Sequence, residues 1–569
     1  MSCFKLPQGI ISEIESLLMN FWWEKTSKQR GIPWIAWKKL QYSKKEGGLG
    51  FRDLAKFNDA LLAKQAWRII QHPHSLFAKI MKARYFRDES ILDAKVRKYQ
   101  SYGWASLLSG VALLKKGTKY IVGDGKTIRL GIDNVLEDHP PKPIRVADPG
   151  NNIRLETLIS MNGMSRSWDI SKIASLVDQR DQALVQNIHL SKEVNRDTIS
   201  WNYNTSGDYS VRSGYWLLTH DPDDLHNHVD PPPGSVDLKN SIWKLPLMPK
   251  IKHFLWRALS RALATTSRLA TRGMHIDTTC PRCRREEESI NHALFTCPFA
   301  TMVWRLSNSI PLHGTVFSPE FDTNISLLLS LTTNQTLQDD QKLLPFWLLW
   351  RIWKSRNNFV FNKARESATK TVLKAQAEIR QWLTATYSPT RRNHRTAHDT
   401  PLSPPRCWTA PPPSFIKCNF DAAYDIQTQQ VTAGWIIRDH HGTPKHWGSL
   451  KLGQAATPLE AETKALLAAM QQSWIRGYKA TYFEGDCEIL IQTLNNSKRI
   501  GTLTNLFKDI HFWARKFQRN RFIFTKREGN AAAHCLAKFG CISSTCYSNS
   551  VTQPLWLQKQ LCIDISNLI

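Results

Sequence analysis

Four short segments near the C-terminus carry the chain's most constraining pattern, and three of them contain an acidic residue where a strand ends or a helix begins. They are Cys418-Asn419-Phe420-Asp421, Leu459-Glu460-Ala461-Glu462, Phe483-Glu484-Gly485-Asp486, and Glu528-Gly529-Asn530 running through His534-Cys535-Leu536-Ala537. Residues 415–422 alternate as a strand does, with Lys417, Asn419 and Asp421 on a polar face and Ile416, Cys418 and Phe420 on the other. Further strands are expected at 432–438, 445–452, 480–484 and 521–525, with a turn at His440-His441-Gly442. Thr457-Pro458-Leu459-Glu460 reads as a capping box with proline at the first helical position, so Glu460 serves the cap. Glu462 instead falls in register with Leu459 and Leu466, on the inward stripe of that helix. A carboxylate there is costly unless it is paired or metal-bound, which makes Glu462 the expected site residue. Asp486 alone would pass for a helix N-cap. Together with Asp421 and Glu462 it is expected to be a metal ligand, because carboxylates from separate elements converge on divalent cations at the carboxyl ends of strands.

The order strand-Asp, helix-Glu, strand-Asp resembles ribonuclease H, and the wording is similar to the ribonuclease H-like domains of plant LINE-type (non-LTR) retroelements. The resemblance implies an α/β domain over 415–545 with a five-stranded mixed sheet. It further implies Mg2+ (or Mn2+) held by Asp421, Glu462 and Asp486, and two-metal hydrolysis of the RNA strand in RNA–DNA hybrids. In ribonuclease H a fourth carboxylate begins an Asp-x-Leu-Ala pattern. Here His534 stands at that place, as it often does in similar plant retroelement domains. Imidazole can ligate metal or shuttle protons, but it lowers the negative charge of the site. The expected catalytic set is therefore Asp421, Glu462, Asp486 and His534, with Glu528 as an outer ligand and Lys526, Arg527 and Asn530 as contacts to nucleic acid. The alternative is a catalytically weak or inactive nucleic-acid-binding remnant of a retroelement.

Cys280-Pro281-Arg282-Cys283, His292 and Cys297 give the spacing C-x2-C-x8-H-x4-C. Three sulfurs and one imidazole complete a tetrahedral zinc shell with no open position, so a structural Zn2+ site is expected. With Trp256 and Trp304 on its flanks, this stretch resembles the reverse-transcriptase zinc-binding domain of the same elements. Arg282, Arg284 and Arg285 either touch phosphate or offset the ligand charge.

A chain of 569 residues is too long for one ordinary core. The expected fold is multidomain and mostly helical before the α/β domain. A helical region spans 1–130, a mixed connecting region 131–235, the zinc module 236–310 and a helical connector 311–384. A proline-rich linker at 385–414, the ribonuclease H-like domain at 415–545 and a tail at 546–569 complete it. Within the connecting region, residues 199–218 suggest a local hairpin leading into a helix. Asp339-Asp340 is expected in a solvated loop, and a Tyr- or Phe-x-Asp-Asp turn of a polymerase palm is absent from the sequence. The formal charge of +28 favours phosphate backbones, so nucleic acid is the expected partner: an RNA–DNA hybrid, or single-stranded RNA or DNA. Phe21-Trp22-Trp23 and Trp34 to Trp37 lie beside basic residues and serve either core packing or base stacking. The apolar run 343–350 is too short to span a bilayer, no secretory signal is evident, and three of the eleven cysteines sit in metal-like spacing. An intracellular protein of the nucleus or cytoplasm, without a membrane partner, is expected.

Overall fold

The computed structural model describes residues 1–24, 31–137, 139–144, 153–162, 165–192, 196–221, 230–307, 316–387, 407–496, 500–542, 547–549 and 554–566. Most of the expected linker, 388–406, lies outside the described residues. The chain forms two compact units: residues 1–5, 58–220 and 399–569, and residues 6–57 and 221–398.

In the first unit, helices Tyr102–Gly117 and Val211–Thr219 pack around Trp67, Trp104, Trp201 and Tyr209. Strand β1 (Thr118–Ile121), the hairpin of β2 (Ile159–Asn162) with β3 (Ser165–Trp168), and β4 (Thr198–Trp201) accompany them. The local hairpin expected over 199–218 does not form, because β4 pairs antiparallel with β1 instead. Ser210 accepts the Ser213 N–H at 3.1 Å and starts the next helix at once, which leaves no room for a returning strand.

The sheet of this unit contains β5 (Ile416–Tyr424), β6 (Gln430–Arg438), β7 (Pro444–Gln454), β8 (Ala480–Gly485), β9 (Arg519–Phe524) and the short β10 (Tyr547–Asn549), in spatial order β10-β7-β6-β5-β8-β9. The hairpins β5-β6-β7 are antiparallel, whereas β8 and β9 run parallel to β5. The five-stranded mixed sheet is thus present, with β10 added at one edge. Cys418, Phe420 and Phe483 face a core made with helices Pro458–Ile475 and Thr504–Ala514. Helix Ala531–Ile542 packs on the opposite face. Residues beyond 545, expected as a tail, supply β10 and helix Leu555–Ser566. That helix buries Leu557 and Leu561 against Ile436 and Trp447, and its Asp564 pairs with buried Arg438 at 2.6 Å.

Gly434 governs how closely the last major helix approaches the sheet. It lies opposite Asp421 in the β5–β6 register. A Cβ on it would sit 2.2 Å from the Ala537 nitrogen and 2.6 Å from the Ala533 oxygen, both backbone atoms.

The second unit is helical. Residues 343–350 lie within helix Asp339–Asn362, whose Phe346, Trp347, Leu348 and Leu349 are fully buried. No helix among the described residues is long and apolar enough to cross a membrane. Asp339 and Asp340 open this helix rather than sitting in a loop, and acidic residues suit the positive end of a helix dipole. Trp23, Trp34 and Trp37 share a core with Trp256, so core packing accounts for them.

Gly434→Ala should push helix Ala531–Ile542 off the sheet and cost about 1–3 kcal/mol, the usual range for overpacking. Hydrogen–deuterium exchange should speed up in that helix and leave helix Asp339–Asn362 unchanged.

Candidate metal centres

The Cys–His cluster is built by two local turns. The first brackets Cys280 and Cys283, with Cys280 N–H donating to the Glu286 carbonyl at 2.7 Å and Arg284 N–H returning to the Cys280 carbonyl at 2.9 Å. The second is a single π-turn over His292–Thr296, whose extra residue per turn brings Cys297 round to the side of His292. The result places one ligand atom from each of Cys280, Cys283, His292 and Cys297 within 4.8 Å of one another. Glu286 lies 2.9 Å from Nδ1 of His292, which turns Nε2 toward the Cys283 sulfur at 3.3 Å. That is how a carboxylate orients an imidazole for metal. The donors compete for protons. Hydrogen bonding with Cys297 and burial push the Cys280 thiol up to about 12, and hydrogen bonding with Cys280 lifts His292 to about 9. A largely buried set of three thiols and one imidazole fits a cation better than it fits protons. Arg282 is not a phosphate contact: its guanidinium donates to Ser355 Oγ at 3.0 Å and the Glu366 carbonyl at 2.9 Å, and it lies over the Phe299 ring.

The carboxylates converge as well. Asp421, Glu462 and Asp486 place an oxygen each within 4.8 Å of one another. They come from the C-terminal half of β5, which continues to Tyr424, from the first turns of helix Pro458–Ile475 and from the residue after β8. Glu462 points inward, with Oε2 buried and without a hydrogen-bond partner in the protein. Burial first, then the charges of Asp421 and Asp486, hold its carboxyl well above the usual range. Asp421 is pushed up to about 6, mainly by burial and further by Asp486, against the opposing hydrogen bond from His534. Glu460 stays with the cap, its Oε2 accepting the Ala456 N–H at 3.0 Å while Lys464 pairs with its other oxygen at 2.8 Å. Asp486 is not the N-cap of the following helix, since Cys487 occupies that position.

His534 faces the same site from helix Ala531–Ile542. Its Nδ1 lies 2.8 Å from Asp421 Oδ2, and its Nε2 lies 3.1 Å from an Arg527 guanidinium nitrogen. A guanidinium only donates, so Nε2 of the neutral ring accepts and Nδ1–H donates to Asp421. His534 therefore holds the Asp421 carboxylate in place and is not itself a member of the carboxylate cluster. Arg527 is exposed, and its charge opposes the rise at Glu462. Lys526 is half-buried, and Glu528 is exposed outside the cluster. Asn530 cannot make the expected loop contact: it is 1% exposed, donates to the Phe420 carbonyl at 2.8 Å and accepts from Asn419 at 3.1 Å.

A buried polar network beneath the site was not foreseen. Lys417, Asn419 and Asp421 were expected on a polar face, yet they are 2%, 0% and 3% exposed. Lys417 pairs with Glu484 at 2.5 Å. Asn419 donates to Glu484 at 3.1 Å and accepts from Trp408 at 2.9 Å and from Arg438 at 3.0 Å. Every second residue of β5 being polar was the available signal. Only burial distinguishes such a network from a wet face.

A mixed sheet whose two central strands and neighbouring helix bring three carboxylates together defines a ribonuclease H-like domain. Residues 419–540 match the family described as reverse transcriptase-like, and residues 209–304 match the family described as zinc-binding in reverse transcriptase. An Arabidopsis thaliana protein named "Putative ribonuclease H protein" is 25% identical over 555 residues, covering 95% of this chain and 86% of that relative. An uncharacterized mitochondrial protein of Arabidopsis thaliana is 42% identical over 144 residues, covering 25% of this chain and 94% of the relative. The chain belongs to the plant retrotransposon-derived family that couples a reverse-transcriptase zinc-binding region to a ribonuclease H-like domain. Among solved structures, ribonuclease H1 of Halobacterium salinarum is similar at 21% identity and a TM-score of 0.22, over 22% of this chain and 98% of that one. A compost-derived ribonuclease H1 in complex with an RNA/DNA hybrid is similar at 22% identity and a TM-score of 0.21, over 22% of this chain and 99% of that one.

The raised carboxyls set a pH dependence for the metal-free protein. An acid whose folded pKa exceeds its unfolded value of about 4 contributes stability that is complete below pH ~4 and is lost as pH rises through the folded value. For Asp421 that loss falls between about pH 4 and 6, and for Glu462 it continues higher. In chelator, the melting temperatures of Asp421→Asn and Glu462→Gln should gain on the parent steadily across this window, as read by thermal melts at each pH. A gain that is the same at pH 4 and pH 7 would contradict the electrostatic account.

Proposed function

We propose that this protein binds nucleic acid and that its C-terminal domain hydrolyses the RNA strand of RNA–DNA hybrids. The observation that carries the reading is the convergence of Asp421, Glu462 and Asp486, with a buried Glu462 oxygen that nothing in the protein satisfies. Hard divalent cations take such oxygen ligands, so the donor set fits Mg2+ or Mn2+. When bound there, paired metals supply Lewis acidity, activating water and stabilising the leaving 3′ oxygen.

The chain's own residues prepare that site. Asp421, Glu462 and Asp486 hold the ligand oxygens on three separate elements, so no single side-chain rotation disperses them. His534 donates to one Asp421 oxygen and fixes its rotamer. Arg527 buttresses His534 and places positive charge toward Glu462, where a substrate phosphate would approach. A 2′-hydroxyl is the group that separates RNA from DNA at such a site. The +28 charge supports backbone binding. In the second unit, Cys280, Cys283, His292 and Cys297 fit a structural Zn2+ with no position left for substrate.

One observation favours a weaker catalyst. His534 supplies an imidazole where the family pattern has a carboxylate, and its Nδ1 is spent on Asp421. A domain that binds hybrids without turnover is the second reading.

The test is cleavage of a labelled RNA–DNA hybrid in Mg2+ or Mn2+. Asp421→Asn should reduce cleavage at least a hundredfold while circular dichroism stays unchanged, and Glu460→Gln should leave cleavage within about twofold, as befits loss of a cap worth about 1 kcal/mol. His534→Asp should retain or raise activity. Parent protein that binds hybrid but never cleaves it would establish the second reading.

Metal analysis of the purified chain should return about one zinc. Cys283→Ser should lose that zinc and destabilise the helical unit, and hybrid cleavage by the C-terminal domain should survive.

A further inference from the structure

A second charged surface lies on the same sheet as the carboxylates, further along the strands. The register pairs Lys417 with Tyr482 and Tyr482 with Arg521, while Ala480 pairs with Arg519. Side chains of paired residues share a face, and so do those two apart. Arg519, Arg521 and Tyr482 therefore project from the face that carries Lys417, Asn419, Glu484 and Asp421. Helix Ala531–Ile542 packs over β5, β6 and β7 on that face. Over β8 and β9, by contrast, Arg519 and Arg521 are exposed and Tyr482 is half-buried.

Aromatic rings and cations interleave here. Phe415 and Tyr482 are half-buried with ring centroids 4.6 Å apart, and with Gln518, Arg519, Asn520 and Arg521 they line a shallow pocket. The Arg519 guanidinium lies 5.8 Å from the Phe415 centroid, and Arg521 lies 5.8 Å from that of Tyr482. Round the corner, exposed Lys479 and Lys516 flank the half-buried Trp474 at 5.1 and 5.8 Å. None of these four cations forms an ion pair among the described residues. The nearest acid along the face in β8, Glu484, is consumed by Lys417.

We propose that the surface of Phe415, Tyr482, Arg519 and Arg521 holds a single-stranded segment of nucleic acid. Unneutralised cations on one face suit a phosphate backbone, and rings left half open beside them offer bases a stacking platform. A duplex keeps its base faces hidden, so the open rings favour a single strand over a hybrid. The β5 and β8 strands connect this surface to Asp421 and Asp486, so a strand leaving a cleaved or partly unpaired hybrid has a second hold on the same domain. This inference rests on the nucleic-acid reading of the domain and not on its catalytic competence.

The test uses the full chain, with a labelled oligothymidylate and a blunt RNA–DNA hybrid as probes, in binding titrations over a salt series. Arg519→Gln with Arg521→Gln should weaken oligothymidylate binding about tenfold and reduce the salt slope by about 1.4, two contacts at about 0.7 each. Tyr482→Leu, which keeps an apolar side chain but not the stacking face, should weaken it at least fivefold with the slope unchanged. Binding and cleavage of the blunt hybrid should stay within twofold in both variants. Oligothymidylate binding equal to the parent's in either variant overturns the proposal. So does equal loss on both probes, or displacement of the oligonucleotide by polyglutamate at equal charge concentration. Absence of cleavage in the parent protein would bear only on the catalytic reading.

Discussion

Three carboxylates within 4.8 Å repel one another, and the surrounding domain has to bear that repulsion whenever no cation is present. Each carboxylate is anchored by a different element: a central strand, a helix on one face and the residue after a neighbouring strand. For Asp421 the main counterweight inside the protein is the Nδ1–H of His534, presented by a helix from the other face. That helix reaches Asp421 only because Gly434, opposite Asp421, has no side chain to hold it away. Geometry and electrostatics of the site thus depend on one close approach.

Beneath the carboxylates the same constraint recurs as a buried ionic network. Lys417 and Glu484 pair in the interior, and Asn419 links them to Trp408, Arg438 and Asn530. Isolated, each charge would be costly; linked, each has partners on more than one side. Trp408 belongs to the end of the segment expected as linker, and Asp564 to that expected as tail. Both ends of the C-terminal domain are therefore stitched to its central strand. Upstream residues are bound in as well: Ser191 and His189 meet Asp509 at 2.7 and 2.8 Å, and Asn505 donates to the Val122 carbonyl at 2.9 Å.

The two clusters of ligand-type residues were legible because the signal for each member is local, although their convergence is not. C-x2-C-x8-H-x4-C specifies a closed ligand shell by spacing alone, and the Leu459–Glu462–Leu466 register separates the inward Glu462 from the capping Glu460. The alternation of β5 put Asp421 on the correct face. Features that depend on distant partners were misjudged. β4 found β1 rather than a neighbour, Asp339 and Asp340 began a long helix, and Asn530 turned out to be an interior bridge.

The sequence by itself determined which residues are the candidates for chemistry and which elements present them, since period, capping and ligand spacing are properties of neighbouring residues. Tertiary structure decided which polar residues are wet and which are buried, because alternation tells only that a side chain points to one face. It also decided that His534 holds Asp421 through Nδ1 while Arg527 holds His534, an arrangement that depends on how closely a helix lies on Gly434. That distance is set by atoms more than a hundred residues apart, and no short pattern in the chain encodes it.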